Sequence, residues 1–109
     1  MERQYSNYIE CSEAIASYLM CNVPAPWRSI EALVEIDHED EMVTSELIYY
    51  PDQTGAKDWF AIHDGEEDAE FAACFRQLAR LVSTPERGLF SKCKFTLQPD
   101  GRYRTEYEY

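Results

Sequence analysis

The sequence has little of what most site chemistries require. No apolar stretch approaches the ~20 residues needed to cross a bilayer. The chain has four glycines, all isolated, so there is no glycine-rich loop to cradle phosphates. Cys11, Cys21, Cys74 and Cys93 stand singly, without a C-x-x-C pair or an adjacent histidine. All four read as small buried hydrophobes in a reducing compartment. Cys11 and Cys21 are expected to share one helix, which sets them ~15 Å apart, beyond the ~7 Å limit for a disulfide. Basic residues are scarce, with 10 lysines and arginines against 21 acidic residues, a net charge of −11. That balance argues against a nucleic-acid or anionic-membrane ligand and favours a cationic partner or simply high solubility. The opening MERQYSNYIE has no basic stretch leading into an apolar one. No secretory signal is therefore expected, and the cytoplasm is the expected compartment.

The 109 residues hold 45% hydrophobic and 14% aromatic side chains, enough for one folded domain over 1–109 and too few for two cores. From Glu2 to Cys21, apolar residues at Tyr5, Tyr8, Ile9, Ile15, Ala16, Leu19 and Met20 recur at helical spacing and predict one buried helix face. Pro24 and Pro26 stop that helix. From Ser29 to Asp37 the period becomes two: Ile30, Ala32, Val34 and Ile36 alternate with Glu31, Leu33, Glu35 and Asp37, as in a half-buried strand. An acidic turn, His38 to Glu41, leads to a second strand over Met42 to Tyr50. The turn signal Pro51 to Gly55 precedes a third strand, Lys57 to His63. Asp64 is placed to cap a second helix whose stripe is Phe71, Cys74, Phe75, Leu78 and Val82, ending before Thr84-Pro85. Cys93, Phe95 and Leu97, a Pro99-Asp100-Gly101 turn, and Tyr103, Thr105, Tyr107 and Tyr109 predict a terminal hairpin. The order α-β-β-β-α-β-β predicts an α+β fold, an antiparallel sheet of about five strands with two helices packed on one face.

Catalytic constellations are weak. His38 sits among Asp37, Glu39 and Asp40, but the run lacks the glycine and spacing of a calcium loop and reads as a solvated turn. No desolvating neighbours tune Glu39 as an acid or base. His63 beside Asp64 has no serine or cysteine in a nucleophile turn to complete a triad. Neither catalysis, a metal nor a cofactor is expected. Lys92, Lys94, Arg102 and Arg104 interleave with tyrosines on the hairpin, but Glu106 and Glu108 share their face. Cross-strand pairing is the better reading than a single-strand nucleic-acid platform.

Charge is distributed unevenly. Residues 1–70 hold 17 acidic and 3 basic side chains, net −14, and residues 71–109 hold 4 acidic and 7 basic, net +3. The acids concentrate in turns. Merged at adjacent ends of a small sheet, such turns would form one negative surface that steers a basic protein. Glu39, Asp40, Glu41, Asp52 and Asp58 are the expected rim of that surface. Tyr49, Tyr50, Trp59 and Phe60 are candidate anchors, at least half of which belong to the core; Tyr50 and Trp59 are the two assigned to binding.

Two stretches carry a family resemblance. Val23-Pro24-Ala25-Pro26-Trp27-Arg28-Ser29-Ile30 leads into EALVEI and SELIYYPDQTG, and the chain closes on KCKFTLQPDGRYRTEYEY after the helix FAACFRQLARLV. This order resembles the YezG-like immunity proteins of bacterial polymorphic toxin and contact-dependent growth inhibition systems. Leu89-Phe90 stands where many relatives carry a tryptophan. The resemblance implies a cytoplasmic antidote that binds and neutralises a cognate toxin C-terminal domain, often a nuclease. It supplies no catalytic residues, and Trp27, Phe95, Gly101 and Tyr107 match its pattern as fold determinants. The expected partner is thus a basic toxin domain, with no nucleic acid and no membrane, and the protein itself a monomer or weak homodimer. An acidic nucleic-acid mimic and a non-catalytic regulatory domain are the alternatives.

Overall fold

In the computed structural model, which describes residues 4–109, the elements are α1 (Tyr8–Asn22), β1 (Ser29–Asp37), β2 (Met42–Tyr50), β3 (Asp58–Phe60), α2 (Gly65–Val82), β4 (Lys92–Leu97) and β5 (Tyr103–Glu108). The α+β order matches the expectation. The strands form one antiparallel sheet in the order β3-β2-β1-β4-β5. Central β1 pairs with β2 along its whole length and with β4 over six residues.

Local chemistry sets the helix ends. Asn7 caps α1, its side-chain oxygen accepting from Glu10 N at 2.9 Å, so the helix starts there, with Gln4, Tyr5 and Ser6 outside it. Glu2 and Arg3 lie outside the described residues. Asp64 caps α2 by accepting from Glu67 N at 3.0 Å. Glu66, Glu67 and Asp68 fill the first turn of α2 and Arg80 its last, the charge order that complements the helix dipole.

Both helices pack on one side of the sheet. Ile30, Ala32, Val34 and Ile36 of β1 join Cys93, Phe95 and Leu97 of β4 beneath Ile15 and Leu19 of α1 and Phe71, Phe75 and Leu78 of α2. Phe71, Phe75, Phe90 and Phe95 are fully buried, each removing apolar area that stabilises by about 1.5–3 kcal/mol. The aromatic ladder continues outward, with Phe95 stacked on Tyr103 at 5.3 Å and Phe90 on Tyr107 at 4.7 Å between centroids. Trp27 is half-buried against the same core.

Four sequence expectations are corrected. The buried face of α1 is Cys11, Ser12, Ile15, Ala16 and Leu19, whereas Tyr8, Ile9 and Met20 are exposed. Ile9 and Met20 lie more than ~100° around the helix from Ile15, and Tyr8 stands in the first turn. Cys21 is exposed, one residue from the helix end; the other three cysteines are buried and all four are free. The third strand shrinks from Lys57–His63 to Asp58–Phe60, because the chain leaves the sheet to bury Ile62. The acidic turns also fail to merge. The β1–β2 turn adjoins the Asp37↔Met42 pair, and the β2–β3 loop adjoins Ser29↔Tyr50, eight steps away. At ~3.4 Å per residue these are opposite ends of the sheet, ~27 Å apart.

The two tight turns differ in their fit to the backbone. Gln98 O accepts from Gly101 N at 3.0 Å, and Gly101 has φ +90°, the left-handed value this three-residue hairpin loop requires. In the β1–β2 turn, Asp37 Oδ1 accepts from the main chain of Glu39 and Asp40, and Glu41 takes φ +55° without being glycine. No described helix is long and apolar enough to cross a membrane. Substitutions at these turns should move stability in opposite directions. Glu41→Gly relieves the left-handed clash and should stabilise by about 0.5–1 kcal/mol, while Gly101→Ala should cost about 1–2 kcal/mol, both read from urea denaturation midpoints.

Candidate protein-binding face

The alternation that buries half of β1 sends Glu31, Leu33, Glu35 and Asp37 to the side away from the helices. Strand register places Thr44, Glu46, Ile48 and Tyr50 of β2, Trp59 of β3, Lys92, Lys94 and Thr96 of β4, and Arg104, Glu106 and Glu108 of β5 on that same side. No helix covers it. It carries carboxylates at Glu31, Glu35, Asp37, Glu46, Glu106 and Glu108 against cations at Lys92, Lys94 and Arg104.

Polar side chains on the face hold one another in place. Lys92 Nζ lies 3.6 Å from Glu35 and Lys94 Nζ 3.8 Å from Glu31. Arg104 lies 3.6 Å from Glu106. Trp59 Nε1 donates to Glu46 Oε1 at 2.6 Å, while Lys57 Nζ sits 5.4 Å from the Trp59 ring centroid. Trp59 stands opposite Ile48 in register; Ile48 is buried, yet Trp59 keeps 52% of its surface in solvent. The Glu31 carboxylate accepts from the Tyr50 phenol, and this hydrogen bond holds Tyr50 above its ordinary pKa. The face holds a shallow hollow of ≈ 550 Å³, with Leu33, Glu35, Thr44, Glu46, Lys94 and Glu106 among its lining.

Of the residues singled out from sequence, Tyr50 and Trp59 fall together on this face. Tyr49 and Phe60 turn to the helix side, where their rings meet edge to face at 5.9 Å. The expected rim divides: Glu39, Asp40 and Glu41 occupy one end of the sheet, Asp52 and Asp58 the other. Asp52 is held by its loop, accepting from Thr54 N at 2.9 Å and Thr54 Oγ1 at 2.6 Å, and the Thr54 hydroxyl holds its carboxyl below the usual range. Asp58 accepts from Trp59 N at 2.8 Å. Glu31, Glu35 and Glu46 are the carboxylates that the turn-based reading passed over. For Glu31 and Glu35 the signal was present in β1, where acids at three of the four alternate positions Glu31, Leu33, Glu35 and Asp37 mark a strand face that meets water.

His38 Nε2–H donates to Phe90 O at 2.7 Å and ties the β1–β2 turn to the segment before β4. His63 is exposed. Burial pushes the Cys93 thiol up to about 12, and the hydrogen bond with Cys74, reinforced by burial, raises Cys11 further. Both stay protonated near neutral pH. Among the described residues, no group of three histidine, cysteine, aspartate or glutamate side chains is placed to hold a metal ion. No protein-family model and no curated protein matches the chain.

The Tyr50–Glu31 bond has a measurable consequence. A phenol whose folded-state pKa is raised favours folding below its ordinary range, and that contribution is lost as pH climbs through the raised value. Glu31→Gln should therefore shift the Tyr50 titration down toward its ordinary value, as read by ring-resonance shifts with Tyr50→Phe for assignment. An unmoved titration would show that Glu31 is not the cause.

Proposed function

We propose that this protein is an immunity protein, a non-catalytic acidic binder that holds a cognate toxin domain of the nuclease class and blocks it in the cytoplasm. The uncovered sheet face carries this reading. A half-exposed indole, a phenol at the same edge and an excess of carboxylates over cations make a surface suited to a basic protein. The net charge of −11 extends that preference over the whole molecule. The resemblance of the proline-tryptophan entry and the terminal hairpin to YezG-like immunity proteins supports the same conclusion.

A nuclease engages phosphates through a cationic surface, which an acidic face opposes directly. Long-range attraction speeds the encounter, and buried aromatics set the lifetime of the complex. Trp59 and Tyr50 take the anchoring role. The carboxylates at the two ends, Glu39, Asp40 and Glu41 on one side and Asp52 and Asp58 on the other, flank the face and steer from a distance. The face's own ion pairs are solvent-exposed and contribute little to stability, so exchanging them for a partner's cations costs little.

Co-expression with a cognate toxin domain should give co-purification and rescue of growth. Affinity should fall about tenfold or more between about 50 mM and about 500 mM salt, and Trp59→Ala should weaken binding by about 2 kcal/mol. An affinity indifferent to ionic strength would sink the acidic-face mechanism. Equal binding to several unrelated basic proteins would favour a nucleic-acid mimic instead.

A further inference from the structure

Strand β5 forms one edge of the sheet, and its sequence is complementary to itself. With Arg102, which precedes the strand and pairs with Asp100 at 2.6 Å, it reads Arg-Tyr-Arg-Thr-Glu-Tyr-Glu from 102 to 108. About Thr105 the aromatics are symmetric, Tyr103 matching Tyr107. The charges are antisymmetric, Arg104 matching Glu106 and Arg102 matching Glu108. Laid antiparallel on a copy of itself with a twofold axis at Thr105, this strand sets every cation opposite an anion.

The backbone selects the same centre. Gln98 N donates to Arg102 O and Ser91 N to Glu108 O, both at 2.8 Å, and Thr96 and Lys94 face Arg104 and Glu106 in register. Even-numbered residues of β5 therefore direct their main-chain groups to β4. Tyr103, Thr105 and Tyr107 direct theirs outward.

We propose that a second copy of this chain adds at this edge, β5 against β5, joining the two sheets into one. The three outward residues of each strand exchange ~six main-chain hydrogen bonds. Arg104 meets Glu106 of the partner subunit at a non-hydrogen-bonded position, where Cα atoms approach to ~4.5 Å and side chains are closest. On the helix side, Tyr103 meets Tyr107 of the partner subunit; both rings are half-exposed and stacked on their own core. Arg104 and Glu106 now pair along their own strand at 3.6 Å with 79% and 52% of their side chains in solvent, so they change partners without large desolvation. The acidic excess does not oppose this contact locally. Residues 1–70 carry net −14 and residues 71–109 net +3, and β5 is the edge remote from β2 and β3. The opposite edge, β3, is three residues long and offers no comparable ladder. The inference uses the edge and not the open face, so it stands independently of the immunity reading.

Sedimentation equilibrium on the full chain tests it. The wild type should show a concentration-dependent monomer–dimer equilibrium. Arg104→Glu and Glu106→Arg each place like charges opposite one another and should weaken it on the order of tenfold or more. Mixing these two variants should restore association, because the acidic row of one meets the basic row of the other. Thr105→Pro removes an outward N–H while sparing the β4 ladder, and should give a monomer with an unchanged circular dichroism spectrum. A wild type that stays monomeric up to about 1 mM, leaving the edge for an extended segment of another protein, would overturn the proposal. So would a dimer that survives both charge reversals, or folded variants that do not associate when mixed.

Discussion

Strand β1 is the constraint on which the molecule depends. It pairs on both sides, so its main-chain groups are satisfied within the sheet and its side chains alone decide what each face meets. The even positions, Ile30, Ala32, Val34 and Ile36, are buried and draw both helices to one side. The odd positions, Glu31, Leu33, Glu35 and Asp37, carry too much charge to be covered by an apolar helix. A one-residue slip of β1 would exchange these sets and bury three carboxylates, which holds the register of the whole sheet.

Charge then divides the surface into regions of different character. On the open face, Lys92 and Lys94 neutralise part of the carboxylate row of β1, and Glu46 fixes the Trp59 ring. These contacts hold the side chains of the face in place, so the proposed binding there would lose less side-chain entropy. At the β5 edge the signs alternate within one strand. That arrangement does not repel a second strand as a uniform edge charge does, and edges of this kind invite pairing. The β1–β2 turn concentrates Asp37, Glu39, Asp40 and Glu41 around a left-handed Glu41, a conformation glycine adopts more readily.

Much of this architecture was legible in the residues. The period-two alternation of β1, the Pro-Asp-Gly turn and the capping Asp64 act over a few residues, so their consequences follow from local sterics and hydrogen bonding. The division of four aromatics also follows from alternation, with Tyr50 and Trp59 turned out and Tyr49 and Phe60 turned in. Less legible was α1, where Tyr8, Ile9 and Met20 match a helical period but stand off the contact line. Which side of a weakly amphipathic helix is buried depends on what it packs against, here α2 through Cys11 and Cys74 and through Tyr18 and Phe71.

By itself, the sequence determined the order of elements, the two-faced character of β1, the caps and turns, and the acidic balance, because each arises from neighbours within a turn or a strand. Only the tertiary structure decided which charges share a surface. Strand β2 sends the acidic turns at its two ends to opposite ends of the sheet, because a strand of nine residues must separate them by its own length. The same register gathers Glu31, Glu46, Lys94 and Trp59, distant in the chain, onto one face that no helix covers.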